Sequence, residues 1–276
     1  MSDITIIKSC NQNMDAPISG NILGGTFSYF SQKNPTLERD NQDSIGVYSK
    51  EDQAVLIVAD GIGGHRMGDE ASKIAVTSII DSCEKIKTID INHLYQSIIN
   101  ANTQIRALNV GAGTTLCLGF IDKNKLTFMS TGDSLGLHIS GKGNTKSHTI
   151  DHSSAGLAKL SGLLNESEIA QLEGGNQLAY ALGDEKVELS ISGPIEISQR
   201  DNILISSDGL TTNVNQEEIS QVITTGLVND RVVKLADLAT NNFQSANGHP
   251  DDLSILLLSF GRSDTIEDPA LEEKEA

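Results

Sequence analysis

Aspartate recurs at the ends of apolar runs in this 276-residue chain. Asp60-Gly61 follows the run 54–59 (AVLIVA), Ser207-Asp208-Gly209 follows 202–206 (NILIS), and Asp251-Asp252 directly precedes 253–259 (LSILLLS). Asn41-Gln42-Asp43 leads into the run 45–48, and Gly132-Asp133-Ser134 fills a tight turn between two further runs. A lone Asp-Gly is ordinarily a turn residue or a helix cap. Repeated at the rims of buried strands, the same residues are placed to meet in one cleft. Carboxylates gathered there repel one another, and at neutral pH they must protonate or bind cations. Oxygen ligands without paired cysteines point to Mg²⁺ or Mn²⁺ rather than to zinc or copper. Glycine after the aspartate permits a sharp exit from the strand and lets its own carbonyl approach an ion.

The elements that must position these residues can be read from periodicity. The continuous apolar runs 54–59, 202–206 and 253–259 are the pattern of strands covered on both faces. A helix is expected over 69–86, with the stripe Ala71, Ala75, Ile79, Cys83, Ile86, and another over 92–108, with Leu94, Ile98, Ala101, Ile105, Leu108. The short runs 114–121, 125–130, 135–139 and 145–150 are separated by Asp122-Lys123-Asn124 and by Ser140-Gly141-Lys142-Gly143-Asn144. Connections this short impose antiparallel pairing, because parallel neighbours need a crossover of about a dozen residues or more. Two more helices are expected over 216–225 and 230–243. Residues 11–25, rich in Asn, Gly and Ser, read as a loop, and 154–175 reads as small, polar and partly helical without a core face. The fold class is therefore α+β, with antiparallel sheets inside and helix pairs outside.

Composition limits the partners. Thirty-seven Asp and Glu against twenty Lys and Arg give a formal charge of −17, which argues against a nucleic-acid binder or an anionic-membrane binder, since both need a basic face. Six acidic residues and one lysine fall within 264–276, so 263–276 reads as a solvated, disordered acidic tail. The three cysteines, Cys10, Cys83 and Cys117, have no paired spacing, and Cys83 and Cys117 sit in apolar runs as core residues. No stretch reads as a signal peptide or a membrane span. A reduced, cytoplasmic protein and a monomer are expected.

Taken in order, the motifs resemble one family. They are Arg39-Asp40-Asn41-Gln42-Asp43-Ser44, Val58-Ala59-Asp60-Gly61-Ile62-Gly63-Gly64-His65-Arg66-Met67-Gly68-Asp69-Glu70, Gly113-Thr114-Thr115, Thr131-Gly132-Asp133-Ser134, Asp151-His152-Ser153, Ser206-Ser207-Asp208-Gly209-Leu210 and Asp251-Asp252-Leu253-Ser254. Together they resemble the bacterial form of the metal-dependent serine/threonine protein phosphatases of type 2C, over roughly 24–260. The resemblance implies a central antiparallel β-sandwich flanked by pairs of helices. It divides the chain into an N-terminal segment 1–23, a phosphatase domain 24–262 with a flap near 154–175, and the tail. It implies two Mn²⁺ or Mg²⁺ ions with a place for a third, and a phosphorylated protein as substrate. Asp60 would bridge the two metals and the Gly61 carbonyl would bind one. Asp208 and Asp251 would complete the first site, Asp43 would serve the second, and Asp133 with Asp208 the third. Phosphoserine or phosphothreonine would be hydrolysed by a hydroxide bridging the metal pair, with Arg39 holding the phosphate through its planar fork.

The sequence departs from the family pattern at identifiable places. Glu38 stands at the usual spacing of the phosphate-binding arginine, and Arg39 is one residue late. Gln42 replaces a glutamate found in many members, which weakens the hold on a second ion. Ile62 stands where many eukaryotic members carry a histidine and cannot donate a proton. His65 and His152 are read as structural, and Asp252 as supporting the ligands. These departures leave a second reading, a catalytically weak or silent regulator on the same fold. A more remote one is a dinucleotide-binding enzyme, suggested by Gly61-Ile62-Gly63-Gly64 through Gly68 between a strand and a helix.

Overall fold

A computed structural model of the protein describes residues 4–62, 67–245 and 248–261. The expected tail, the end of the domain at 262, and His65 lie outside these residues.

The first half of the chain supplies most of one sheet, two helices and part of a second sheet. β1 (Ile4–Cys10), β2 (Ile18–Ile22) and β3 (Gly25–Gln32) open the chain, followed by β4 (Asp43–Lys50) and β5 (Gln53–Asp60). The helices α1 (Gly68–Glu84) and α2 (Ile91–Ala107) then lead into β6 (Leu116–Asp122), β7 (Lys125–Thr131), β8 (Leu135–Ile139) and β9 (Thr145–His148). α3 (Ser154–Ser161) and α4 (Glu166–Ala170) form an exposed arm, and β10 (Ser190–Ile191) and β11 (Ile195–Glu196) are two-residue strands. β12 (Asn202–Ser206), α5 (Asp208–Thr211), α6 (Gln216–Val222), α7 (Val228–Phe243) and β13 (Leu253–Ser259) complete the described chain.

Two antiparallel sheets result. One runs β1-β4-β5-β6-β7, with β10 and β11 both on the outer edge of β7; the other runs β2-β3-β13-β12-β8-β9. Their facing surfaces meet through Ile45, Leu56, Val58, Phe128, Ile205 and Leu256. The outer face of the first sheet packs Ile57, Leu116 and Leu118 against Ile79 of α1 and Leu94 and Ile98 of α2. The outer face of the second packs Leu204, Ile255 and Leu257 against Val232 and Leu235 of α7 and Ile219 of α6. Covering each sheet on both faces explains why β5, β12 and β13 are continuously apolar instead of alternating. The layers are helix, sheet, sheet, helix, as expected.

Two expectations change. Residues 11–25 are not only a loop: β2 pairs with β3 across Leu23-Gly24, a two-residue turn with both φ positive. Within the N-terminal segment 1–23, the residues from 4 onward supply β1 to one sheet and β2 to the other. Both strands lie at sheet edges, so Ile4, Ile6 and Ile18 remain exposed and the apolar alternation is weak. The dinucleotide-binding reading also fails. β6 returns antiparallel beside β5 after α1 and α2, whereas that fold requires a parallel strand–helix–strand crossover.

Candidate active site

The cleft lies where strands of both sheets end. In the β4–β5 ladder Asp43 stands opposite Asp60. Thr115 fixes the Asp60 backbone from the neighbouring strand: its amide donates to the Asp60 carbonyl at 2.8 Å and its hydroxyl accepts from the Asp60 amide at 3.0 Å. The same hydroxyl lies 2.7 Å from that of Ser134, which ties Asp60 to the Gly132–Ser134 turn. Gly132 has φ +90°, and a Cβ there would strike Thr115 at 2.7 Å, so glycine is required at this turn. Gly61 is equally constrained. Its amide donates to the Gln42 carbonyl at 3.1 Å, and a Cβ would lie 2.4 Å from the Gly68 carbonyl oxygen.

The second sheet brings the remaining carboxylates. Asp208 opens α5 directly after β12, and Asp251 precedes β13, the strand beside it. Asp60, Asp133, Asp208 and Asp251 line one cavity of about 630 Å³. Ile62, Thr115, Tyr180, Asp184 and His249 complete much of its wall. Asp43 does not line it; it is fully buried beside Asp60.

Burial and mutual repulsion govern the electrostatics. Asp43 is raised well above the usual carboxylate range, first by burial and then by Asp252. Asp60 is raised likewise, by burial and then by Asp43, Asp208 and Asp251. Burial and the charge of Asp208 push Asp133 up to about 8, and burial with Asp251 pushes Asp208 to about 6. Asp251 moves in the same direction, held back in part by Arg39. Oδ1 of Asp208 is buried without a hydrogen-bond partner, and the fully buried Asp43 carboxylate has no more than the hydroxyls of Ser207 and Ser254 beside it. Such groups normally have one, and leaving them without costs about 1–3 kcal/mol each, more when charged. A hard divalent cation answers both the missing partners and the repulsion, so the donor set fits Mg²⁺ or Mn²⁺. Among the described residues, no three His, Cys, Asp or Glu side chains already close into a ready cage. The carboxylates instead ring the cleft.

Arg39 stands beside this ring. Its guanidinium bonds the Asp252 carboxylate and lies 3.7 Å from Asp251, and the residue is not part of the cavity wall. Asp252 is a buried hub that also accepts from the amides of Asn34 at 2.6 Å and Gln42 at 2.8 Å. Gln42 adds a buried side-chain oxygen without a partner. His152 supports the Asp133 turn: its Nδ1 accepts from the Gly132 amide at 3.3 Å, which leaves Nε2 to donate to the Ser190 hydroxyl at 2.8 Å. Burial lowers its pKa and favours this neutral ring.

Residues 38–237 match the family described as Protein phosphatase 2C. The chain belongs to that family. The Serine/threonine phosphatase stp of Listeria welshimeri is 30% identical over 80% of this chain and 91% of its own length. The solved serine/threonine phosphatase of S. agalactiae is 25% identical and superposes with a TM-score of 0.74, covering 84% of this chain and 98% of that one. The catalytic domain of the serine/threonine protein phosphatase PstP, solved in complex with two manganese ions, is 25% identical with a TM-score of 0.70 over 84% of this chain and 96% of that one.

Within this phosphatase 2C chain, some cleft residues carry little sequence signal. Thr115 belongs to the Gly113-Thr114-Thr115 motif, but nothing in the sequence shows that it holds the Asp60 backbone. Tyr180 and Asp184 reach the cavity from one connection and His249 from another far along the chain, where no periodicity marks them.

Proposed function

We propose that the protein is a divalent-metal-dependent phosphatase that hydrolyses phosphoserine and phosphothreonine in proteins. One observation carries the reading: in a chain of this family, the buried carboxylates of Asp43, Asp60 and Asp208 crowd and repel one another, with Oδ1 of Asp208 lacking a partner. Asp60, the Gly61 carbonyl, Asp208 and Asp251 would hold one ion and Asp43 with Asp60 the other, while Asp133 and Asp208 offer a weaker third place. When bound, Mn²⁺ or Mg²⁺ supplies charge against the phosphoryl oxygens and makes a water nucleophilic at neutral pH.

The chain's own residues prepare the site. Thr115 fixes the height of Asp60 through two backbone contacts. His152 fixes the turn that carries Asp133. Ile62 lines the cavity as an apolar wall and offers no proton to the leaving group. Asp252 draws the Arg39 guanidinium to the rim, next to Asp251. From there the fork can meet a phosphoryl oxygen at the cavity edge, giving charge-assisted hydrogen bonds. A nucleophilic cysteine has no part: Cys83 and Cys117 are buried in the core with their thiols held protonated by that burial.

The substrate would be a phosphorylated protein, met by a monomer in the cytoplasm. The unpaired thiols of Cys10, Cys83 and Cys117 suit a reducing compartment. No helix among the described residues is long and apolar enough to cross a membrane. The test is phosphate release from a phosphothreonine peptide and from para-nitrophenyl phosphate with Mn²⁺. Activity should require the metal, vanish with EDTA, and largely disappear in a folded Asp208→Asn variant. Metal-independent turnover would overturn the reading.

A further inference from the structure

A second, smaller pocket of about 190 Å³ adjoins the catalytic cavity. Tyr180 belongs to the walls of both. On its far side the pocket is bounded by Leu157 and Leu160 of α3 and by Ile150, with His152 and Ser190 among its lining residues. At roughly 30 Å³ per water, the space equals several waters, enough for one branched aliphatic side chain. The surroundings are unusual for a protein surface. Leu160 is 64% exposed and the neighbouring Leu163 83%, while Ile150 and Tyr180 are also exposed. Large apolar side chains clustered beside a pocket mark a binding surface. Its polar residues are already engaged: His152 bonds Ser190 and packs edge-on against the Tyr180 ring, 5.6 Å between centroids. The charge nearby is negative, with Glu188 in this pocket and Asp184 in the catalytic cavity.

We propose that this pocket receives a large aliphatic side chain of the phosphoprotein substrate, close in sequence to the phosphorylated residue, with the Tyr180 ring dividing the two subsites. The proposal rests on the phosphatase reading above. Continuity through Tyr180 places an occupant of the pocket on the same chain that presents its phosphate to the carboxylates. Glu188 disfavours an acidic residue at that place. The arm that carries Leu157 and Leu160 thereby acts in choosing substrates and takes no part in the chemistry.

The experiment uses phosphothreonine peptides with one leucine moved through the positions on either side of the phosphorylated residue, against alanine and aspartate at the same positions. At one position leucine should raise kcat/KM about tenfold over alanine, chiefly through KM, as expected for a few buried methylenes. Aspartate there should fall below alanine. Leu160→Asp, an exposed position, should bring the leucine-to-alanine ratio close to one and leave turnover of para-nitrophenyl phosphate unchanged. Ile150→Asp, at a second lining residue, should do the same. Equal rates for leucine and alanine at every position would overturn the proposal, as would a preference that survives both variants. A dimer that Leu160→Asp dissociates, without any peptide preference, would assign the face to a second copy of the chain. Absence of turnover on para-nitrophenyl phosphate would defeat the phosphatase reading itself, a different outcome from turnover without preference.

Discussion

Asp43 and Asp60 stand directly opposite each other where β4 begins and β5 ends, with Asp43 completely buried. Like charges facing across adjacent strands destabilise a sheet. Here, among the described residues, no cationic side chain faces Asp43, and only the Ser207 and Ser254 hydroxyls offset part of that cost. The pair therefore folds most easily with protons or cations present, and the protein's pH and metal responses follow from it.

The metal-free protein should lose stability as pH rises. Asp43 and Asp60 are raised, Asp208 reaches about 6 and Asp133 about 8. The folded state then holds protons that the unfolded chain, with carboxyls near 4, has already released. The stabilisation these groups provide is complete below about pH 4 and is lost as pH climbs through about 6 and about 8. Thermal melts of EDTA-treated protein should show a Tm that falls more steeply between these values than in Asp133→Asn. Mn²⁺ should raise the Tm most at the upper end.

Asp43→Asn removes one of the facing charges. The metal-free variant should melt higher than the wild type at pH 8, while binding Mn²⁺ more weakly and turning over peptide at least tenfold more slowly. Paired melting curves and Mn²⁺ titrations check the two opposite effects. A variant that is less stable without metal would show that the facing carboxylates do not repel at that pH.

Asp252 and Arg39 should separate under mutation. Asp252→Ala removes the acceptor for the Asn34 and Gln42 amides and for Arg39, and should cost about 3 kcal/mol in denaturant unfolding. Arg39→Lys keeps a cation beside Asp252 but removes the planar fork. It should stay within about 1 kcal/mol of the wild type while KM for a phosphopeptide rises severalfold. An unchanged KM would confine Arg39 to bracing Asp252.

A stability test far from the cleft uses Asp201, at the other end of β12. Its buried carboxylate lies 2.8 Å from His138 Nε2 and accepts from Lys146 at 2.7 Å and from the Ser198 amide at 2.8 Å. Asp201→Ala should destabilise by about 2 kcal/mol, because it leaves the buried His138 ring without its carboxylate partner. The folded fraction should keep full activity per metal-loaded molecule.

Much of this was legible in the sequence, for a physical reason. β5, β12 and β13 are covered on both faces, so they appear as unbroken apolar runs, and their ends carry Asp60, Asp208 and Asp251. β1 and β2 were not legible, since edge strands keep one side in water and lose the pattern. The environment of Arg39 was hidden because it depends on Asp252, more than two hundred residues away. The grip of Thr115 on Asp60, the place of Tyr180 and the His138–Asp201–Lys146 network were hidden for the same reason: each acquires meaning only when distant segments pack together.

The central claim is that the aspartates at the strand ends form one divalent-metal site. Calorimetric titration of the metal-stripped protein with Mn²⁺ at neutral pH tests it most directly. At least two ions should bind, with proton release detected by comparing buffers, because raised carboxyls must deprotonate to coordinate. Asp60→Asn should abolish most of that heat while remaining folded. No binding by the wild type, or binding unchanged in Asp60→Asn, would contradict the claim.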